Sequence, residues 1–241
     1  MDWILLRGLA REQAHWGAFR ERLQSRCPGH RFHVIDLPGT GSHYRETSPA
    51  TIAGIRQQVQ HYARHIPGPV GLFGLSMGGM VALDWAQAEP QRVARLVLLN
   101  TSTGFSPSWR RLRPAALVQA LTLLWRRDVA GRERGILRLT SNRPVCDTLA
   151  YHWLMIQCQR PVRVSTAIAQ LRAAAGYRPA AEPPPVEALL LASTADRIVH
   201  WHCSRALARR WQWPLRTHAD AGHDLVLDAP DWVLEQFQSV A

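Results

Sequence analysis

Short apolar runs rich in Val, Ile and Leu alternate along this chain with stretches of helical periodicity, and that alternation leaves few architectures open. The runs are Trp3–Leu6, Phe32–Leu37, Val70–Gly74, Val93–Asn100 and Val186–Ser193, with a weaker one at Leu215–His218. Continuous apolar character over four to eight residues is what a strand needs when both of its faces are covered. Between the runs, His15–Gln24 places Trp16, Phe19 and Leu23 at spacings of three and four, and Ile52–His65, Met77–Ala88 and Pro230–Val240 are read as helices too. Strand and helix in turn predict an α/β fold, a doubly wound parallel sheet of about six strands. With 241 residues, 46% of them apolar and 20% charged, the chain has the material for one large core. Disorder, collagen-like repeats and coiled coil are excluded.

The alternation stops between Thr101 and Pro185. That stretch carries helical patterns at Pro114–Arg126, Ala130–Leu139, Asp147–Gln159 and Val162–Ala175, no convincing strand, and a stiff exit at Pro183-Pro184-Pro185. The expected organisation is a core domain of residues 1–100 and 186–241 with a helical lobe, 101–185, inserted in it.

Charge is distributed unevenly over these two parts. The chain holds 29 basic and 18 acidic residues, a net +11, and every cation is arginine. Without lysine, Schiff-base and P-loop mechanisms are excluded. The lobe has thirteen arginines against only Asp128, Glu133, Asp147 and Glu182, so it carries +9 of the total. Such a surface is either a solvated helical face or a docking face for an acidic partner. No segment approaches 18 consecutive apolar residues, and Asp2 with only a short apolar run before Arg7 does not make a secretory signal. Cys27, Cys146, Cys158 and Cys203 are scattered without metal-ligand spacing, so neither a disulfide framework nor a zinc site is expected. The expectation is a cytoplasmic protein with reduced thiols.

One motif carries chemistry. Gly74-Leu75-Ser76-Met77-Gly78 follows an apolar strand and opens a long apolar helix. A tight strand-to-helix turn lifts the serine hydroxyl above the sheet edge, and the glycines let backbone pass close by. The Met77 amide, at the helix start, is placed to donate to a developing oxyanion.

With this motif in place the sequence resembles the α/β-hydrolase superfamily over nearly the whole chain. The family's order of serine, acid and histidine then points to Asp196, in Ala195-Asp196-Arg197 after the strand Val186–Ser193, and to His223, in Asp220-Ala221-Gly222-His223-Asp224 after the last strand. The resemblance implies that Asp196 orients His223 and that His223 takes the proton of Ser76. It also implies a second oxyanion donor, the Leu9 amide, in Arg7-Gly8-Leu9 at the end of the first strand. Arg7 stands where the family usually has histidine. It either takes over a structural hydrogen-bonding role or presents its planar fork to a carboxylate or phosphate beside the site. Asp224 is assigned supporting or surface duty, and the turn Asp36–Ser42 a structural role. The antiparallel strands that usually precede the first strand are missing, and the inserted lobe takes the position of the family's cap.

Leu117, Leu121 and Trp125 on the first cap helix, and Trp153 on a later one, are candidates for an apolar acyl pocket. Arg110, Arg111, Arg113, Arg126 and Arg127 are candidates for docking an acidic acyl carrier protein or coenzyme A. The layout is similar to that of pimeloyl-carrier-protein methyl esterases and related small carboxylesterases and thioesterases. The expected activity is therefore hydrolysis of an ester or thioester through an acyl-enzyme, without metal or organic cofactor. The same triad also serves carbon–carbon bond hydrolases, haloperoxidases and lyases, and a non-catalytic ligand sensor can share the fold. Nucleic-acid binding is not expected, because no recognised nucleic-acid motif accompanies the charge.

Overall fold

The computed structural model describes residues 1–240 of the chain. Six strands form one all-parallel sheet in the order β2-β1-β3-β4-β5-β6. They are β1 (Asp2–Leu6), β2 (Arg31–Val34), β3 (Val70–Leu75), β4 (Val93–Leu99), β5 (Glu187–Ser193) and β6 (Leu215–His218). The core helices are α1 (Phe19–Arg26), α2 (Ile52–Tyr62) and α3 (Met77–Ala88). Between β4 and β5 the chain makes five helices: α4 (Ser108–Arg111), α5 (Pro114–Leu124), α6 (Val129–Thr140), α7 (Asp147–Gln159) and α8 (Val164–Gly176). The core then closes with α9 (His202–Trp211), α10 (Leu225–Asp228) and α11 (Pro230–Gln238).

Side chains alternate faces along a strand, and both faces of this sheet are covered. Ile4, Leu6, Leu72, Leu96, Leu98 and Leu190 pack with α2, α3 and α9, whereas Trp3, Leu5, Phe73, Val97, Leu99 and Leu191 pack with α1 and α11. The edge strands β2 and β6 are more exposed, which explains the weaker pattern of Leu215–His218.

Strand order reverses between β1 and β3, because β1 leads to β2 on one side while β3 lies on the other. In an open parallel sheet the crevice beyond the carboxyl ends of two such strands is the natural ligand site. Here it is flanked by Arg7–Leu9 and Ser76.

Local departures from the expected elements have local causes. The helix expected over His15–Gln24 is split into a 3-10 turn, Gln13–Trp16, and α1, because Gly17 adopts φ +52°. The strand expected to reach Leu37 stops at Val34, ahead of the turn in which the buried Asp36 carboxylate accepts hydrogen bonds from the Gln13 and Ser42 amides (2.6 and 2.8 Å). No helix among the described residues is long and apolar enough to cross a membrane.

Candidate active site

Ser76 occupies the turn between β3 and α3 with φ +57° and ψ −117°, a conformation that costs a non-glycine residue on the order of 1–3 kcal/mol. The surroundings hold it there. Its amide donates to the Leu99 carbonyl (2.7 Å), and the Thr101 hydroxyl donates to its carbonyl (2.8 Å). The two motif glycines are required by close approach: a Cβ on Gly74 would lie 2.5 Å from the Gly78 carbonyl oxygen, and one on Gly78 would lie 2.3 Å from that of Leu6. Such contacts press α3 against the end of β1, so the loop Arg7-Gly8-Leu9 passes directly beside the serine. A Cβ on Gly8 would stand 3.3 Å from that of Ser76.

His223 and Asp196 are brought together from the loops after β6 and β5. His223 Nδ1 lies 2.7 Å from Asp196 Oδ2, and both residues are buried. The carboxylate is itself fixed, since Asp196 Oδ1 accepts from the amides of Ile198 (2.7 Å) and Val199 (3.0 Å). This pairing places the Nδ1 proton toward Asp196 and leaves Nε2 as the nitrogen able to accept a proton. Burial pushes the His223 pKa down, but the Asp196 charge and hydrogen bond, aided by Asp224, outweigh it, and the net direction is upward. Ser76 and His223 line the same cavity, and the Ser76 hydroxyl has no hydrogen-bond partner among the described residues. The Leu9 and Met77 amides likewise donate to no protein acceptor among the described residues, and both residues line that cavity. Two free amides beside one serine are what a developing oxyanion requires.

Arg7 is buried and directs its fork at Asp224, with Nη2–Oδ2 at 2.5 Å and Nη1–Oδ1 at 3.3 Å, while its guanidinium lies 4.9 Å from the Trp16 ring. The pair ties the Arg7-Gly8-Leu9 loop to the residue following His223. Arg7 reaches the cavity wall, yet its charge is spent on Asp224. Of the two roles open to it, the geometry favours the structural one.

Several supports had no signal in the sequence. Asn100, buried and at φ +45°, donates to the His223 carbonyl (2.8 Å) and accepts from the Ser193 amide (2.8 Å), clamping the acid and histidine loops to the end of β4. Asp228 accepts from the Gly222 amide (2.6 Å), the Ser141 hydroxyl (2.5 Å) and the Asn142 amide (2.8 Å). The α4–α8 segment also grips the residues that follow the Arg7-Gly8-Leu9 loop. Ala10, at φ +56°, donates to the Gln170 side chain (2.8 Å), Arg11 pairs with the buried Glu133 (2.8 Å), and Arg160 holds Glu12 (2.6 and 2.5 Å).

The cavity over Ser76 measures about 690 Å³. Leu117 and Leu121 of α5, Ile136 and Leu139 of α6 and Trp153 of α7 contribute to a largely apolar roof. Trp125 does not. It lies just past the end of α5, is 71% exposed and is absent from the wall, which corrects its assignment to the pocket. Arg111 is a second correction, because it is buried and donates to the carbonyls of Ala174 (2.5 Å) and Ala175 (2.9 Å), so it offers nothing to a docking partner. Arg126 and Arg127 are exposed, the first paired with Asp128 at 3.1 Å, and Arg110 and Arg113 are partly exposed.

The fold is that of an alpha/beta hydrolase. A match to the alpha/beta hydrolase family spans residues 3–236, and the chain belongs to that family. The pimeloyl-[acyl-carrier protein] methyl ester esterase of Vibrio campbellii is 36% identical over 118 residues, 48% of this chain and 44% of the relative. The enzyme of the same name from Nitrosomonas europaea is 32% identical over 104 residues, covering 43% and 38%. The chain thus matches under half the length of these relatives. Among solved structures, a thermophilic esterase from Thermogutta terrifontis superposes with TM-score 0.72 at 24% identity, covering 99% of this chain and 88% of the other. The 2-hydroxy-6-oxo-6-phenylhexa-2,4-dienoate hydrolase of Rhodococcus sp. strain RHA1 gives TM-score 0.78 at 20% identity, covering 99% and 89%. At these identities the structural likeness speaks for the fold alone.

Proposed function

We propose that the protein is a serine hydrolase of carboxylic esters or thioesters with an apolar acyl group. The observation that carries this reading is the strained Ser76 turn sharing one cavity with a His223 ring fixed at 2.7 Å by Asp196. Ser76 attacks the acyl carbonyl as His223 Nε2 accepts its proton, and the Met77 and Leu9 amides stabilise the tetrahedral oxyanion. His223 then protonates the leaving alcohol or thiol. Water, deprotonated by the same ring, attacks the acyl-enzyme, and the carboxylic acid leaves as Ser76 recovers its proton.

The apolar roof supports an acyl group of medium length, since a cavity of about 690 Å³ lies within the range that buries small ligands. The name of these relatives attaches their ester to an acyl-carrier protein. Together with the arginines of residues 101–185, it supports an acidic carrier or coenzyme A as the acyl donor's handle. Hydrolysis of p-nitrophenyl butyrate by wild type, with Ser76→Ala folded and inactive, is the expected result. Equal turnover by the two proteins contradicts the mechanism.

A further inference from the structure

A second, smaller groove of about 220 Å³ lies between α4 and α9, lined by Arg110, His202, Arg205, Ala206 and Arg209. It contains three guanidinium groups and an imidazole but no carboxylate. The spacing is built in: His202, Arg205 and Arg209 fall three and four residues apart, so they share one face of α9, and Arg110 meets them from α4. None of the three arginines forms a salt bridge or donates a side-chain hydrogen bond to the protein among the described residues, so their N–H edges are open to a ligand.

Two of the guanidinium groups are pre-positioned by aromatic rings. Arg110 lies 4.7 Å from the Trp109 ring centroid and Arg205 lies 5.5 Å from that of Trp201. Stacking restrains the plane of the fork while leaving its N–H edges free for bidentate contacts. The groove is strongly positive. Burial, then Arg110 and Arg205, push the His202 pKa down, which favours the uncharged imidazole with its ring N–H donor. Gathering unpaired like charges in one concavity is unfavourable until an anion enters, and an oxyanion with several acceptor oxygens matches several forks at once.

We propose that this groove binds a phosphate group carried on the leaving-group side of the acyl substrate. The placement carries the second half of the inference. Ser108, Trp109 and Arg111 of α4 line the catalytic cavity, while Arg110 faces the groove, so one helix separates the two. The loop after Asp196 is joined to the same helix and to the turn that follows it, with the His200 amide donating to the Arg110 carbonyl (2.8 Å) and the Arg113 amide to that of Ile198 (2.9 Å). A helix is about 10 Å across, so the leaving group is a thiol or alcohol joined to its phosphate by a flexible arm of at least that length. This proposal rests on the serine-hydrolase reading for the substrate, but the anion site stands or falls by itself.

The test has two arms. In the first, isothermal calorimetry measures pyrophosphate binding to wild type and to Arg205→Glu/Arg209→Glu, with circular dichroism confirming an unchanged fold. Both positions are solvent-accessible; should the double variant misfold, Arg209→Ala, the more exposed position, serves instead. Binding weakened about tenfold or more is expected; no binding, or equal binding, overturns the site. In the second arm, kcat/KM is measured for one acyl group as its coenzyme A thioester and as its N-acetylcysteamine thioester, which lacks phosphate. The charge reversal should depress only the coenzyme A thioester, again about tenfold or more. Equal effects on both thioesters overturn the assignment of the groove to the substrate. Failure of wild type to cleave either thioester, or p-nitrophenyl butyrate, with pyrophosphate binding intact, strikes the hydrolase reading and spares the site.

Discussion

On the floor of the cavity and just beneath it the charged groups are paired and buried: Arg7 with Asp224, Asp196 with His223, and Asp228 with amides and a hydroxyl. On the outer wall, Arg110, Arg205 and Arg209 converge without a carboxylate among them, and the roof facing the serine is largely apolar. The floor uses charge to fix positions, because a buried ion pair left half-made is expensive and therefore holds its geometry. The outer wall leaves charge free, where it is available to a ligand. Arginine serves both ends, and its surroundings decide which.

The largest expected break in this comparison is on the floor. Asp196→Asn should lower kcat for an ester by about 10³–10⁴-fold with the fold retained, since it removes both the charge and the acceptor that set the His223 tautomer. The same substitution tests the sign of the pKa shift. His223 must be neutral to accept the Ser76 proton, and its pKa is raised above the ordinary histidine value. The acid limb of kcat/KM should therefore lie above pH 6.5 in wild type, with activity lost as pH falls through it, and should move downward in Asp196→Asn.

Arg7→Met should destabilise the fold by about 3–5 kcal/mol, measured by urea unfolding, because Asp224 is left buried without its partner. Adding Asp224→Leu should recover most of that loss; no recovery would mean that Arg7 acts through packing on Trp16. On the roof the effect is one of selection. Leu117→Trp should cut kcat/KM for an octanoyl ester about tenfold while an acetyl ester changes by less than about threefold. Smallest of all, Trp125→Ala should alter stability by no more than about 0.5 kcal/mol, in keeping with its exposure.

The parallel sheet was legible because its central strands are apolar on both faces, so periodicity and flanking turns agreed at Val70–Leu75, Val93–Leu99 and Glu187–Ser193. The motif around Ser76 was legible because close backbone approach leaves glycine as its trace. Asn100 and Asp228 were not, since one asparagine or aspartate after a strand or in a helix reads as a cap or turn, and most of their contacts span more than 80 residues of chain. Trp125 misled because its spacing continues the stripe of α5, although the helix ends one residue before it. Arg111 misled because charge in a sequence reads as solvent exposure, and nothing local announces the carbonyls of Ala174 and Ala175 that receive it. The helix α9 did have a signal, in Cys203, Leu207 and Trp211 at spacings of four, with arginines on the opposite face.

The most direct test of the catalytic account is covalent. A fluorophosphonate probe reacts only with a serine whose proton is drawn off by a neighbouring base and whose oxyanion is stabilised. Intact-mass measurement should show one adduct per chain, peptide mapping should place it on Ser76, and Ser76→Ala should remain unmodified. An unmodified wild type, or an adduct that persists in Ser76→Ala, would contradict the account.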